Sequence, residues 1–169
     1  MGLPRKLKNF NLFVEGRGYQ GEIDEVNLPK LMRKMDEHRA GGMVGPVKLD
    51  FGPKELEMEW TVSGWSPNLF DNWGASKHNA ALLRFMGAVQ SDDDEKVSAL
   101  EVVARGRHEE IDTGKAKGGD KTEIKIKTAL TYYKLTVDGK VIMELDFVNM
   151  VEIVNGKDLQ AATRAAIGL

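Results

Sequence analysis

Two motifs contain residue types and spacings that could support chemistry, and the first is glycine-rich. Residues 16–21, GRGYQG, match the G-x-G-x-x-G pattern of dinucleotide-binding loops and follow a predicted strand at 11–15. That mechanism requires a helix next, because its N-terminal amides hold the pyrophosphate. The residues that follow, GEIDEV, have no helical apolar face. We therefore predict a hairpin turn here.

The second motif is partly that of a zinc site. Residues 108–112, HEEID, begin like the H-E-x-x-H helix of zinc proteases, but Asp112 stands where the second histidine is needed. His38 and His78 have no partner at ligand spacing, and the chain has 0 Cys, which excludes disulfides and a cysteine nucleophile. We therefore predict no catalytic, cofactor-binding or metal-binding residues, and expect that the protein is not an enzyme.

A row of like charges is the most unusual remaining feature. Glu55, Glu57 and Glu59 lie on one side of the alternating segment KELEMEW, with no lysine between them. By default such a row is the solvent-exposed face of a strand, although its charges repel modestly. A functional interpretation is a surface that must not bind anions.

The elements that position these groups are mainly strands. Period-2 alternation indicates half-buried strands, and Asp138-Gly139 is typical of a two-residue hairpin turn. We predict one antiparallel β domain over residues 1–169, a sandwich or barrel of about seven strands. The strand segments are 47–51, 54–60, 80–89, 97–107, 123–127, 132–137 and 140–147.

Helical signals are fewer. Ser66 as N-cap, Pro67 in the first turn and Gly74 past the end predict one short helix with Leu69, Phe70 and Trp73 on one face. A second short helix is predicted over 158–167, within a C-terminal segment at 157–169. Residues 28–38 fit either a helix or a long strand.

Composition favours an ordinary soluble globular chain. The 169 residues carry 24 Lys+Arg and 26 Asp+Glu, a net charge of −2, which argues against a dedicated nucleic-acid binder. No apolar stretch reaches the roughly 18–20 residues that span a bilayer. The N-terminus is basic but has no apolar signal-peptide core. We expect a protein made and retained in the cytoplasm, and the resemblance described below implies that this is a bacterial cytoplasm.

Several blocks resemble one protein family. They are LPRKLKNFNLF (3–13), LPKLMRKMDEHRAGGMVGPV (28–47), ARGRHEEIDTGKAK (104–117), ALTYYKL (129–135), NMVEIVNG (149–156) and the ending RAAIGL. In this order they resemble the major tail tube protein of contractile-tailed bacteriophages, the family that also forms the inner tube of R-type pyocins and other tailocins. A fainter resemblance is to the type VI secretion tube protein.

The resemblance implies a β-sandwich or barrel subunit with a flanking helix. Six subunits would form a ring, and the rings would stack into a hollow tube inside a contractile sheath. The implied partners are copies of itself, the sheath, tape-measure, baseplate and tail-terminator proteins, and phage DNA in transit, with no cofactor and no stable membrane or nucleic-acid binding. The implied location is the virion tail or a tailocin particle. A type VI-like carrier and a small-ligand-binding β-barrel are the alternatives.

The resemblance gives several segments an assembly role. Glu55, Glu57 and Glu59 are candidates for lining the lumen. The N-terminal segment 1–10 is either a frayed tail or an assembly arm, and the Gly-rich loops 40–46 and 113–122 are suited to contacts between subunits. The candidate stacking residues are Arg5, Lys6, Lys8, Gly41, Gly42, Met43, Lys115, Lys117, Lys121 and Leu169.

Overall fold

The computed structural model describes residues 2–169, which form mainly antiparallel strands, as predicted. Twelve strands are present in these residues, where about seven were expected. They are β1 (Lys6–Val14), β2 (Arg17–Gly18), β3 (Ile23–Asn27), β4 (Arg33–His38), β5 (Val47–Pro53), β6 (Leu56–Val62), β7 (Ala81–Gln90), β8 (Val97–Asp112), β9 (Ile124–Val137), β10 (Lys140–Asp146), β11 (Val151–Val154) and β12 (Lys157–Asp158). A 3-10 helix covers Pro67–Phe70, and helix α1 covers Ala161–Ala166.

The long strand β9 organises the main sheet. One edge of β9 pairs with β8, whereas the other edge pairs first with β6 and then with β10. The sheet continues from β8 through β7 to β1 and β2, from β6 to β3, and from β10 to β11 and β12. Strands β4 and β5 form a separate two-stranded sheet. The main sheet therefore holds the core, and one hairpin lies outside it.

The core centres on Trp60 of β6, which is fully buried. Its ring meets those of Tyr19 and His108 edge-on, with centroids 6.0 and 6.1 Å apart. The hydroxyl oxygen of Thr128 lies 3.0 Å from His108 Nδ1 and accepts a 3.4 Å hydrogen bond from Trp60 Nε1. Burial lowers the pKa of His108. The histidine of the zinc-like motif is thus a structural core residue on a strand.

The Gly-rich segment at 16–21 contains a hairpin turn, as predicted. Glu15 and Gly16 have φ values of 52° and 79° and connect β1 to β2, with Val14 opposite Arg17. The predicted Asp138-Gly139 turn is also confirmed, with φ values of 49° and 79°. Positive φ at both central residues is the requirement of a type I′ turn.

Gly106 allows β8 and β9 to approach closely. A Cβ atom at this position would lie 1.9 Å from the backbone oxygen of Ala129. The glycine is therefore required by contact with backbone that cannot move aside, although nothing in the sequence pattern marks it. It stands at an irregularity in the register between the two strands.

The N-terminal segment departs from the prediction. Residues 6–10 belong to β1, paired with β7, so this part of the segment is not a frayed tail. Its alternation is obscured because both faces of residues 6–9 are exposed. The ambiguous segment 28–38 contains strand β4 from Arg33 onwards and no helix.

Both predicted helices are present but shorter than expected. The first is a single 3-10 turn, and Ser66 precedes it without a side-chain capping hydrogen bond. Of its predicted apolar face, Leu69 is buried, whereas Phe70 and Trp73 are exposed. Helix α1 has no buried residue. Neither helix, within residues 2–169, has the length and apolar character needed to cross a bilayer.

Candidate assembly surfaces

The first surface is a projecting hairpin, here called the arm and defined as residues 28–54. Every side chain of β4 is exposed, as is β5 up to Phe51. Val47, Leu49 and Phe51 alternate along β5 and are 46%, 43% and 61% exposed. The first two stand opposite His38 and Asp36 of β4, so these residues share one face. The arm thus presents an apolar row that no other part of the described chain covers.

The base of the arm is held by a buried carboxylate. Glu152 of β11 has a side chain only 5% exposed, and it accepts hydrogen bonds from Arg33 Nη1 and, at 2.7 Å, from Gln160 Nε2. Arg33 also pairs with Asp50 across the hairpin. The bond to Glu152 is the largest cause of the raised pKa of Arg33. The arm is therefore fixed at its base and unsupported beyond it.

The predicted loop 40–46 forms the tip of the arm. Gly42 has a φ of 85°, and the Met43 amide donates a 3.3 Å hydrogen bond to the Ala40 carbonyl oxygen. Gly41 is exposed, and Val44 is fully exposed. The candidate stacking residues Gly41, Gly42 and Met43 therefore lie together at the most outlying point of the hairpin.

The second surface is an aromatic patch, defined as Trp65, Phe70 and Trp73, on the connection between β6 and β7. The rings of Trp65 and Phe70 stack with centroids 6.3 Å apart. Trp65 and Trp73 are 65% and 58% exposed, whereas Leu69 between them anchors the connection in the core. Exposed tryptophans on a locally fixed segment are typical of contact sites.

The third surface is the acidic row. Glu55, Glu57 and Glu59 point away from the core, and the structure adds lysines that sequence inspection missed. Lys127 of β9 stands opposite Glu59, and its Nζ lies 3.9 Å from carboxylate oxygens of Glu57 and Glu110. Along the sequence, no lysine lies between the three glutamates. The expectation that no cation reduces their repulsion was nevertheless wrong, because Lys127 lies beside them on the neighbouring strand β9.

The basic N-terminal segment packs on an acidic turn of its own chain. Lys8 Nζ lies 2.6 Å from Asp92, and Arg5 Nη1 donates a 3.0 Å hydrogen bond to Ser98 Oγ. The Leu3 amide donates to Asp93. Lys6 lies opposite Gln90 in the β1–β7 pairing. Lys8 and the Leu3 amide thus contact the SDDDE turn (91–95), whereas Arg5 contacts Ser98 of β8.

The remaining candidate residues lie apart from one another. Lys115 and Lys117 are exposed on the loop 113–122, whereas Lys121 pairs with Glu123 at 2.6 Å and approaches Asp24 at 3.9 Å. Leu169 is exposed, and its amide donates to the Arg164 carbonyl oxygen. The candidates therefore lie in five parts of the structure, the arm tip, the acidic row, the N-terminal segment, the loop 113–122 and the C-terminus, and not in one site.

Two features have no counterpart in the sequence-based candidates. The Arg33–Glu152 pair joins positions 119 residues apart, so no local pattern could indicate it. Phe70 and Trp73 of the aromatic patch were predicted to share one helix face with Leu69, Trp65 was not singled out, and only the high exposure of the patch marks it as a surface. No cluster of three or more His, Asp or Glu within residues 2–169 has metal-site geometry.

The fold is shared with tube proteins of contractile injection systems. Over 79% of this chain, it superimposes on a PVC sheath/tube terminator (96% of that chain covered, TM-score 0.59, 11% identity). Over the same share, it matches a chain of the PVC sheath-tube complex (91% covered, TM-score 0.58, 11% identity). The antiparallel fold of this chain is therefore one that occurs in contractile injection systems.

Sequence comparison then gives the family. Residues 4–168 match the family described as phage tail tube protein FII, and the chain belongs to this family. It is 44% identical to the tail tube protein of Escherichia phage P2, with both chains covered completely. It is 38% identical to the major tail tube protein of Serratia phage KSP20, over 94% of this chain and 92% of that one. The protein is a structural component of a phage tail, not an enzyme.

Proposed function

We propose that six copies of this chain close into a ring and that the rings stack into the hollow inner tube of a contractile tail. The apolar row of the arm is the observation that carries the proposal. Burying apolar surface stabilises by about 25 cal/mol per Å², so three exposed apolar side chains in register favour association. Membership of the tail tube family supports other copies of the same chain as the cover.

Unpaired strand edges support ring closure. Within the described residues, β3 has one hydrogen-bonded neighbour, β6, and residues 6–11 of β1 pair only with β7. Open edges invite pairing with other chains. A cyclic head-to-tail interface uses such edges and joins the sheets of successive subunits into a closed barrel.

The tube serves as a rigid conduit driven through the target envelope when the sheath contracts. It carries DNA in an infectious phage, or ions in a DNA-free tailocin. Its partners are the sheath, tape-measure, baseplate and tail-terminator proteins, and assembly takes place in the bacterial cytoplasm. The arm tip, the basic N-terminal segment, the loop 113–122 and Leu169 contribute contacts within and between rings.

The acidic row lines the lumen in this proposal. Directly paired residues place Glu110 and Asp112 on the same face as the row, together with Lys125 and Lys127. Arg107 also lies on that face, since it and Glu57 both pair with Ala129, so three cations stand among five carboxylates, a net of −2. A net negative wall supports passage of DNA, because each free cation that contacts a phosphate adds affinity and hence friction.

Electron microscopy of the purified chain tests the assembly. We expect six-fold rings, or tubes of uniform bore, at high protein concentration. A chain that stays monomeric when concentrated, and that is absent from intact tails, would contradict the proposal.

The lumen assignment has its own test in a phage whose tube contains only variant subunits. Glu55, Glu57 and Glu59 are replaced together by Lys, and in a matched control by Gln. We expect both variants to assemble tubes and only the Lys variant to slow DNA ejection. Normal ejection from Lys-variant tubes would rule out this face as the lumen wall.

A further inference from the structure

The apolar row of the arm requires a complementary surface, and we propose that it docks on the aromatic patch of a second copy of the chain. This inference rests on the proposed function, because it names the acceptor surface for one of the contacts between subunits. The row consists of Val47, Leu49 and Phe51, and the patch consists of Trp65, Phe70 and Trp73.

Symmetry is the first reason. Contacts that build rings and stacks are heterologous, so each joins two different surfaces of the same chain. An apolar donor surface therefore implies an apolar acceptor elsewhere on the molecule. Within residues 2–169 the aromatic patch is the surface that exposes two tryptophans, the residue type most enriched at the centre of protein interfaces.

Shape and support favour the same pairing. The row lies on a two-stranded hairpin fixed only at its base by the Arg33–Glu152 pair. The connection between β6 and β7, which carries the patch, is anchored by buried Leu69 and by a 2.9 Å contact between His78 Nδ1 and Thr131 Oγ1. The projecting arm of one copy could therefore contact the aromatic patch of another copy without a rearrangement of the core of either copy.

Charge is a second, independent reason. The arm, residues 28–54, carries six Lys and Arg against three Asp and Glu, a net +3 in a chain of net −2. The segment 15–25 carries four carboxylates and one arginine, a net −3. This segment lies against the patch connection, since Asn72 Nδ2 donates to Glu15 at 3.4 Å and the Ser63 amide donates to the Glu22 carbonyl oxygen at 2.7 Å.

The acidic row is a weaker acceptor for the arm. Its exposed face combines Glu57 and Glu59 with Lys127, and it presents no large aromatic side chain to an apolar partner. The acidic turn at 91–95 pairs with Lys8 and the Leu3 amide of the same chain and contains no aromatic residue. Only the patch combines exposed aromatic rings with neighbouring negative charge.

Cross-linking tests the pairing directly, because the natural chain has 0 Cys. The variant Asp36→Cys/Asp71→Cys keeps the whole row and the whole patch, and it is assembled and treated with a bifunctional maleimide reagent. Asp36 shares the face of the row, opposite Leu49, and Asp71 lies between Phe70 and Trp73, so we expect a ladder of covalent multimers on a denaturing gel. The matched control, Glu37→Cys/Asp71→Cys, places the thiol on the opposite face of the arm, and we expect the ladder to be lost. Equal ladders from both pairs would overturn the proposal.

Truncation of the patch gives a second test. We expect Trp65→Ala/Trp73→Ala to keep the circular dichroism spectrum of the unassembled chain and to lose tube formation, whereas Trp65→Phe/Trp73→Phe retains it. Wild-type protein is assembled in parallel, so failure of the proposed tube function is visible separately as a lack of tubes in every sample. Alanine-variant tubes that form normally would overturn the pairing, and loss of sheath assembly alone would assign the patch to the sheath protein.

Discussion

Strands β5 and β6 are neighbours in the sequence and share the same pattern, yet their apolar faces have opposite environments. Val47, Leu49 and Phe51 alternate along β5 and are exposed, whereas Leu56, Met58 and Trp60 alternate along β6 and are buried. The second row is covered by the core of the same chain. Period-2 alternation thus indicates that a face will be buried, but it does not indicate whether the cover is the same chain or another copy.

The largest expected effect comes from truncating a buried ring on β6, which should lower stability, whereas truncating an exposed ring on β5 should impair only assembly. Trp60→Ala creates a cavity among buried side chains and should lower the free energy of unfolding by about 3–5 kcal/mol. Phe51→Ala removes an exposed ring and should change it by less than about 0.5 kcal/mol, while reducing tube formation. Denaturant unfolding of the unassembled chains measures the first quantity, and electron microscopy measures the second. An equal loss of stability in both variants would contradict the comparison.

An intermediate effect is expected where the arm joins the main sheet. Arg33→Ala leaves the buried carboxylate of Glu152 without its cation and should cost about 1–2 kcal/mol, reduced because Arg33 is partly exposed. Asp50→Ala removes the exposed partner and should cost less. We expect tube formation to fall in the same order, since a loosened base disorients the apolar row. A larger loss for Asp50→Ala would show that the hairpin pair, not Glu152, holds the arm.

Acid should weaken the core before it affects the arm. Because burial lowers the pKa of His108 in the folded chain, the unfolded chain takes up a proton first as the pH falls below about 6.5. Stability is therefore lost on acidification, by at most about 1.4 kcal/mol per pH unit, the limit for one proton. Unfolding measured at several pH values should show this slope, and His108→Gln should reduce it. An unchanged slope in that variant would exclude His108 as the cause.

The smallest effect is expected at the N-terminal segment. The Lys8–Asp92 pair is exposed on both sides, so Lys8→Ala should cost about 0.2–1 kcal/mol and less at high salt. Denaturant unfolding at low and high salt measures the difference, with Lys6→Ala as the control. A salt-independent loss would mean that packing of the side-chain stem, and not its charge, stabilises the segment.

Local signals explain which parts of the fold could be predicted. The Asp138-Gly139 turn, the hairpin at 16–21 and the strands around Trp60 depend on neighbouring residues, and the sequence contains their full pattern. Strand β4 was ambiguous because both of its faces are exposed, so its apolar residues follow neither the period of two residues of a strand nor the period of 3.6 residues of a helix. The 3-10 helix is shorter than predicted, because the spacing of Leu69, Phe70 and Trp73 also fits one face of a longer helix.

Long-range pairings explain what the sequence left undetermined. Lys127 relieves the acidic row from another strand, and Glu152 holds Arg33 across 119 positions. Both depend on sheet register, which alternation alone does not specify between distant strands. The alternation of Val47, Leu49 and Phe51 can be read from the sequence. Their exposure in the single chain is seen only in the folded structure.

A high-resolution cryo-electron microscopy reconstruction of tubes assembled from the purified chain would show whether the arm is a contact between subunits. We expect six copies around a hollow axis, with Val47, Leu49 and Phe51 of each arm buried against a neighbouring copy. Arms that remain solvent-exposed in a well-formed tube, or particles without an open bore, would contradict this expectation.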